Sequence, residues 1–305
     1  QVMAKDFREQ KPAADAQTIR PDAKLLFVAG ILAGCAGLGL ALGVAKAYVD
    51  GTPTLDVHRI EDQNLTSFIY DKNGDLITEY KGLEYRIWAN LDEIPKDVQN
   101  ALIATEDVRF YAHNGLDYKR LAGAFINNLS SESVQGGSTI TQQLIKNTLL
   151  SPEQTYKRKI QEAYLAVQLE KEYDKDEILE AYLNTIYLGS GNYGVKAAAM
   201  NYFGKDLKDL NLRESATLIG ITKNPYRNDP RLNFYSRNKP EVTYERTNLV
   251  LLLMYENGSI SKEDYEAARF DEKNLSSPRN EGFQIIEESS HQKLYDYPYF
   301  VEYVI

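Results

Sequence analysis

The sequence predicts a mainly α fold with a small β-hairpin region, preceded by an N-terminal transmembrane helix. Three observations carry this reading. The run from Leu25 to Ala45 has no charged residue, two short apolar segments flank Asn73-Gly74, and capped stretches of helical period run from Pro95 to about residue 269. Apolar spacing of three and four residues marks the helices, and turn chemistry marks the hairpin.

Residues 1–23 are polar without an apolar period and predict a disordered cytoplasmic tail. Lys24 and Lys46 bracket the uncharged run. At about 1.5 Å per residue, a helix of that length crosses a bilayer core. Lys5, Arg8, Lys11, Arg20 and Lys24 lie at or before its start, which places that end in the cytoplasm and the bulk of the protein outside. Ala45-Lys46-Ala47 resembles a cleavage site, but the apolar run is longer than a signal core. An uncleaved signal anchor over 24–49 is expected, then a stalk over 50–66.

Ser67 to Tyr80 reads as the hairpin, and Arg86 to Ala89 as a further short strand. Pro95 opens a helix with Val98, Ala101, Leu102 and Thr105 at helical spacing, and Asn114-Gly115 closes that unit. Asp117 caps the next helix, with Leu121, Ala124, Phe125 and Asn128 on one face. Ser138 caps a helix to about Leu150. Ser151-Pro152-Glu153-Gln154 reads as a capping box opening a helix to about Tyr173, and Asp174 caps the one after it. Further helices are expected at 193–203, 212–221, 240–256 and 262–269. Residues 271–305 lose the period, and the aromatic run from Tyr297 to Ile305 reads as a linker toward an absent further domain.

The net charge of −9 argues against a nucleic-acid partner, so an anionic ligand must meet a local basic cluster. Cys35 is the only cysteine and excludes an intrachain disulfide. His58, His113 and His291 are scattered, and no HExxH motif occurs. Ser236 to Lys239 and Ser259 to Lys262 match S-x-x-K without KTG or SDN. These features disfavour a histidine-held zinc site and a serine hydrolase.

Three segments could carry chemistry. Gln135 to Asn147 reads QGGSTITQQLIKN, in which two glycines precede a helix start rich in hydrogen-bonding side chains. That suits an anionic ligand, and it equally suits a capped surface helix. In Glu106 to Gly115, Glu106 falls late in its helix beside Phe110 and Tyr111. An aromatic setting favours a general base, while a solvated surface glutamate is the plain alternative. In Lys157 to Glu162, Arg158 and Glu162 are four apart and can pair, next to Lys157 and Lys159. This is either an ordinary helix ion pair or a carboxylate beside an anion-binding cluster.

Taken together, the segments closely resemble the glycosyltransferase family 51 domain of class A penicillin-binding proteins, the peptidoglycan transglycosylases. Five motifs occur in order: 106–115, 135–147, 158–184, 186–205 and 210–225, within a resemblance spanning 67–270. The resemblance implies a lysozyme-like domain whose small lobe lies near the membrane. It implies polymerisation of lipid II onto a growing glycan chain, forming β-1,4 links with inversion and releasing undecaprenyl pyrophosphate. Glu106 matches the general base and Glu162, 56 residues on, the second glutamate. Asp107, Phe110, His113, Gly137, Ser138, Thr139, Gln142, Gln143, Lys146, Asn147, Arg158 and Lys159 match substrate-binding motif positions. The resemblance also implies a divalent cation (Mg or Mn) near Glu162, no organic cofactor, inhibition by the phosphoglycolipid moenomycin, a covalent transpeptidase domain and contacts with cell-wall synthesis machinery. Some members carry an arginine eight residues before the second glutamate, where this sequence has Gln154. A glycan hydrolase would also use carboxylates, but it has no use for a basic cluster and a membrane anchor. A non-catalytic membrane scaffold would need neither glutamate.

Overall fold

The computed structural model describes residues 21–55, 67–70, 72–73, 76–80, 85–123, 137–151, 153 and 155–287. Residues 1–20 of the expected tail, most of the stalk, the helix face at 124–128, Gln154 and the aromatic run at 297–305 lie outside them, and residues 21–23, expected in the tail, are already helical.

The chain divides into two units, residues 1–51 and 52–305. The first contains α1, Pro21–Asp50. Within its stretch Leu25–Asp50 the most apolar window has a mean hydropathy of 2.4 and is not buried. It is long and apolar enough to cross a membrane. A helix apolar on every side finds no stable place in water, so its composition fits a membrane anchor.

In the second unit, β1 (Ser67–Tyr70) and β2 (Leu76–Tyr80) form the expected antiparallel hairpin, with Ser67 opposite Tyr80 and a register shift at Tyr70. The further strand, β3, is Tyr85–Arg86, earlier and shorter than expected, and pairs in parallel with β4, Asn192–Tyr193. Ala89 is held differently. The Asn184 side chain donates to its carbonyl and accepts from its N–H, both at 2.8 Å.

Eight helices of this unit matter for the site: α2 (Lys96–Glu106), α3 (Ile140–Thr148), α4 (Tyr156–Glu172), α5 (Lys175–Thr185), α6 (Val195–Phe203), α7 (Leu212–Ile221), α8 (Pro240–Glu256) and α9 (Lys262–Ala268). α2, α7 and α8 pack against one another, and α3 packs against α4 and α5. One core joins both groups, with Val98, Leu102, Leu144, Leu165, Leu183, Leu218 and Val250 among its buried members. Each such side chain contributes about 1.5–3 kcal/mol by leaving water.

The helix starts show where local chemistry decides. Asp174 caps α5 as expected, in a box with Glu177. α3 is capped by Thr139, one residue beyond Ser138, because Thr139 and Gln142 complete a reciprocal box. α4 starts after the expected Ser151 box. Its cap is Thr155, whose hydroxyl accepts from the Arg158 N–H. Residues beyond 270 do not simply leave the domain: Phe283 and Ile285 are buried in the same core, and the Ile286 N–H donates to the Tyr202 carbonyl at 2.9 Å.

Gly115 fixes the crossing of the 106–115 segment over α4. Its φ is +87°, and a Cβ there would lie 2.7 Å from the Ala166 carbonyl oxygen and 2.9 Å from the Val167 nitrogen. Both obstacles are helix backbone and cannot swing away. Gly115→Ala is expected to destabilise the domain by about 2–4 kcal/mol, combining left-handed strain with overpacking. Thermal unfolding measures this. A melting temperature equal to the parent's would show that the crossing is not rigid.

Candidate active site

Glu106 is the last residue of α2, and its half-buried carboxylate is gripped by two neutral donors. Gln143 Nε2 donates to Oε2 at 2.9 Å, and Thr222 Oγ1 donates to Oε1 at 3.0 Å. Gln143 is itself oriented by Tyr182, whose hydroxyl donates to Oε1 of the amide at 2.9 Å. Burial, reinforced by the nearby Glu106 charge, pushes the Tyr182 phenol well above its ordinary range. It therefore stays an O–H donor, and the amide N–H of Gln143 faces Glu106.

The setting of Glu106 is thus polar rather than aromatic. Phe110 is fully buried in the core, with the Lys175 ammonium 4.4 Å from its ring centre. Tyr182 and Thr222 were not singled out from the sequence. Thr222 lies 116 residues from its partner, and only tertiary packing joins them.

Asp107, next in the chain, faces the interior. Its carboxylate accepts from His113 Nε2 at 2.9 Å and from the Ile140 N–H at 3.0 Å. A carboxylate at the first N–H of α3 suits the positive end of that helix. Behind His113 lies Glu170, which also takes hydrogen bonds from Thr141 and Lys175. Thr139 donates to the Gly115 carbonyl at 2.7 Å and, with Gln142, closes the α3 cap. Asp107, Phe110, His113, Thr139 and Gln142 are all buried, and their contacts fix the start of α3 relative to α2 and α4. Nearby, Arg109 forms a paired contact with the buried Asp117 and holds its carboxyl down at about 2. Asp117 also caps the segment 118–123, as expected.

Glu162 is buried and pairs with Lys159, three residues earlier, in place of the expected Arg158. The same ammonium donates to Ser138 Oγ at 2.7 Å, tying α4 to the glycine loop beside Gly137. Arg158 is half-buried one residue before it. Lys146 is half-buried on α3, one turn beyond Gln143, and makes no hydrogen bond or ion pair among the described residues. Asn147 is exposed.

Around Glu162 the described side chains do not form a metal cage. Among the described residues, no group of three or more His, Cys, Asp or Glu could hold an ion. A hard cation there would have one protein carboxylate, already ion-paired, and would need phosphate oxygens and water to complete its shell.

The sequence matches the family described as Transglycosylase over residues 73–255, more than half of the chain. The chain belongs to the transglycosylase family. The match makes it an enzyme of the transglycosylase class. It is 45% identical over 235 residues to Penicillin-binding protein 1A of Clostridium tetani, covering 74% of this chain and 29% of that protein. It is 41% identical over 272 residues to Penicillin-binding protein 1A of Streptococcus pneumoniae, covering 88% and 36%. A crystal structure of Penicillin-Binding Protein 1A from Haemophilus influenzae aligns with 26% identity and a TM-score of 0.39, covering 79% of this chain and 23% of that one. The transglycosylase chain spans about a third of the length of these curated relatives.

Proposed function

We propose that this transglycosylase polymerises lipid II into β-1,4-linked glycan strands with inversion, using Glu106 as general base. The observation that carries the reading is the Glu106 carboxylate, aimed by Gln143 and Thr222, with an uncompensated lysine one helical turn from Gln143. Glu106 takes the proton of the acceptor's 4-hydroxyl as that oxygen attacks the anomeric carbon of the donor chain. The bond from that carbon to the pyrophosphate oxygen breaks, and the electron pair leaves with undecaprenyl pyrophosphate.

The leaving group is already a good one, so it needs positive charge more than an acid. Lys146 and Arg158 supply this charge, and Lys159 adds to it while steadied by Glu162. A divalent cation, if recruited, would lend further positive charge to the phosphate oxygens, and no step depends on it here. α1 holds the enzyme at the membrane that carries the lipid-linked substrate. The lysines and arginines before it set the cytoplasmic side and leave the catalytic unit outside.

The purified chain, incubated with labelled lipid II with and without Mg or Mn, is expected to form glycan polymer. Release of sugar fragments from mature peptidoglycan, with no polymer from lipid II, would replace the transferase reading with a hydrolase.

A further inference from the structure

Glu106 sits where a carboxylate is electrostatically unwelcome. It ends α2, and Thr222, which donates to it, is the C-terminal cap of α7. Both helices turn their negative ends toward it. Two arginines lie there. Arg120 donates to the backbone carbonyl of Glu106. Arg246, from the middle of α8, donates from Nε to the Gly220 carbonyl in the last turn of α7 at 3.0 Å.

The approach of Arg246 is close. A Cβ at position 220 would stand 3.1 Å from Arg246 Cγ, so glycine there admits the side chain. Its α8 neighbours Thr243, Thr247 and Val250 are buried, which makes this a guanidinium on the core side of its helix. Its Nη2 is buried without a hydrogen-bond partner among the described residues. Burial pulls the Arg246 guanidinium down from its usual range, and the Glu106 charge acts in the opposite direction. Such a group is costly to retain unless a counter-charge faces it.

We propose that Arg246 is a positioning residue for glycosyl transfer. It fixes the end of α7 that presents Thr222, and it supplies a counter-charge to the Glu106 carboxylate that Thr222 aims. This rests on the reading of Glu106 as the base. Among the described residues, Gln143 from α3 and Thr222 from α7 hold the Glu106 carboxylate, Tyr182 from α5 stands behind Gln143, Arg120 serves its backbone, and Arg246 from α8 is held at the Gly220 carbonyl, two residues before Thr222, where the Glu106 charge acts on it. Gln143, Tyr182 and Thr222 are neutral. Arg120 donates to the carbonyl, and Arg246 carries charge that acts on the carboxylate.

Removing the charge while the fold survives should let Glu106 bind its proton at higher pH. The test is polymerisation of labelled lipid II by the full chain across pH 5–9, comparing the parent with Arg246→Met, Arg246→Gln, Arg246→Lys and Glu106→Gln. In Arg246→Met and Arg246→Gln, the acid limb of kcat/KM is expected to move up by about one pH unit. At neutral pH, kcat is expected to fall roughly tenfold with KM nearly unchanged, because Arg246 orients the base rather than the substrate. Arg246→Lys should return the limb toward the parent position. Arg246→Gln keeps a donor for the Gly220 carbonyl and carries the test if the methionine variant fails to fold. An unmoved acid limb in a folded neutral variant, with Glu106→Gln inactive, overturns the role of Arg246 and leaves the base in place. An active Glu106→Gln overturns the base, and the role of Arg246 with it.

Discussion

Glu106→Gln is expected to lower lipid II polymerisation by about 10²–10⁴-fold while leaving the fold intact. The hydrogen bonds show why the substitution is clean. Gln143 faces Glu106 with its amide N–H, so the new side chain must present its carbonyl oxygen there. Its amide nitrogen then faces Thr222. That hydroxyl can turn its proton to the Ile219 carbonyl, 2.9 Å away, and accept from the new amide. Each of these donors keeps an acceptor, and the one electrostatic loss is the charge that acts on Arg246, which lowers the melting temperature without unfolding the domain. What is lost is the ability to take a proton. Single-turnover polymerisation and a thermal melt, run together, separate the two effects. Substantial activity in a variant that remains folded would remove Glu106 from the base role.

The same contacts show how much of this was legible in the sequence. Capping boxes are local, so Asp174 with Glu177 could be read three residues apart, and the structure keeps that box. Where two hydroxyl residues adjoin, the reading slipped. Thr139 caps α3 because Gln142 lies three residues after it, a spacing Ser138 lacks. The Ser151 box had the right residue types, but Thr155 serves the Arg158 N–H instead. The motif segments located Glu106, Gln143, Lys159 and Glu162. They did not show that Glu106 meets Thr222, because that contact exists only once α2 and α7 pack. Arg246 left one readable trace, a lone arginine among Thr243, Tyr244, Thr247 and Val250 on the inner side of a helix. A charge at such a position asks for a partner elsewhere in the fold. The sequence offered no means of saying which carboxylate it was.

Lys146→Ala is expected to cost about 10²–10³-fold in kcat with little loss of stability, because no described residue bonds or pairs with that ammonium. The lysine is half-buried, one helical turn beyond the residue that touches Glu106, and has no anionic partner among the described residues. A cation held without a counter-charge is available for the one that develops on the leaving pyrophosphate. Lys159 is different. Its ammonium is shared between Glu162 and Ser138, and removing it strands a buried carboxylate. Breaking a fully buried pair costs about 3–5 kcal/mol, but the Lys159 side chain is 50% exposed, so roughly 1–2 kcal/mol is the appropriate expectation. Lys159→Ala should therefore lower both the melting temperature and the rate, whereas Lys146→Ala should lower the rate alone. The double variant Lys159→Ala with Glu162→Gln should recover stability, since the stranded charge is gone, without recovering full activity. Equal destabilisation by the two lysine substitutions would mean that Lys146 is tied into the fold after all. An unimpaired rate in Lys146→Ala would move the charge assistance to Arg158 and Lys159.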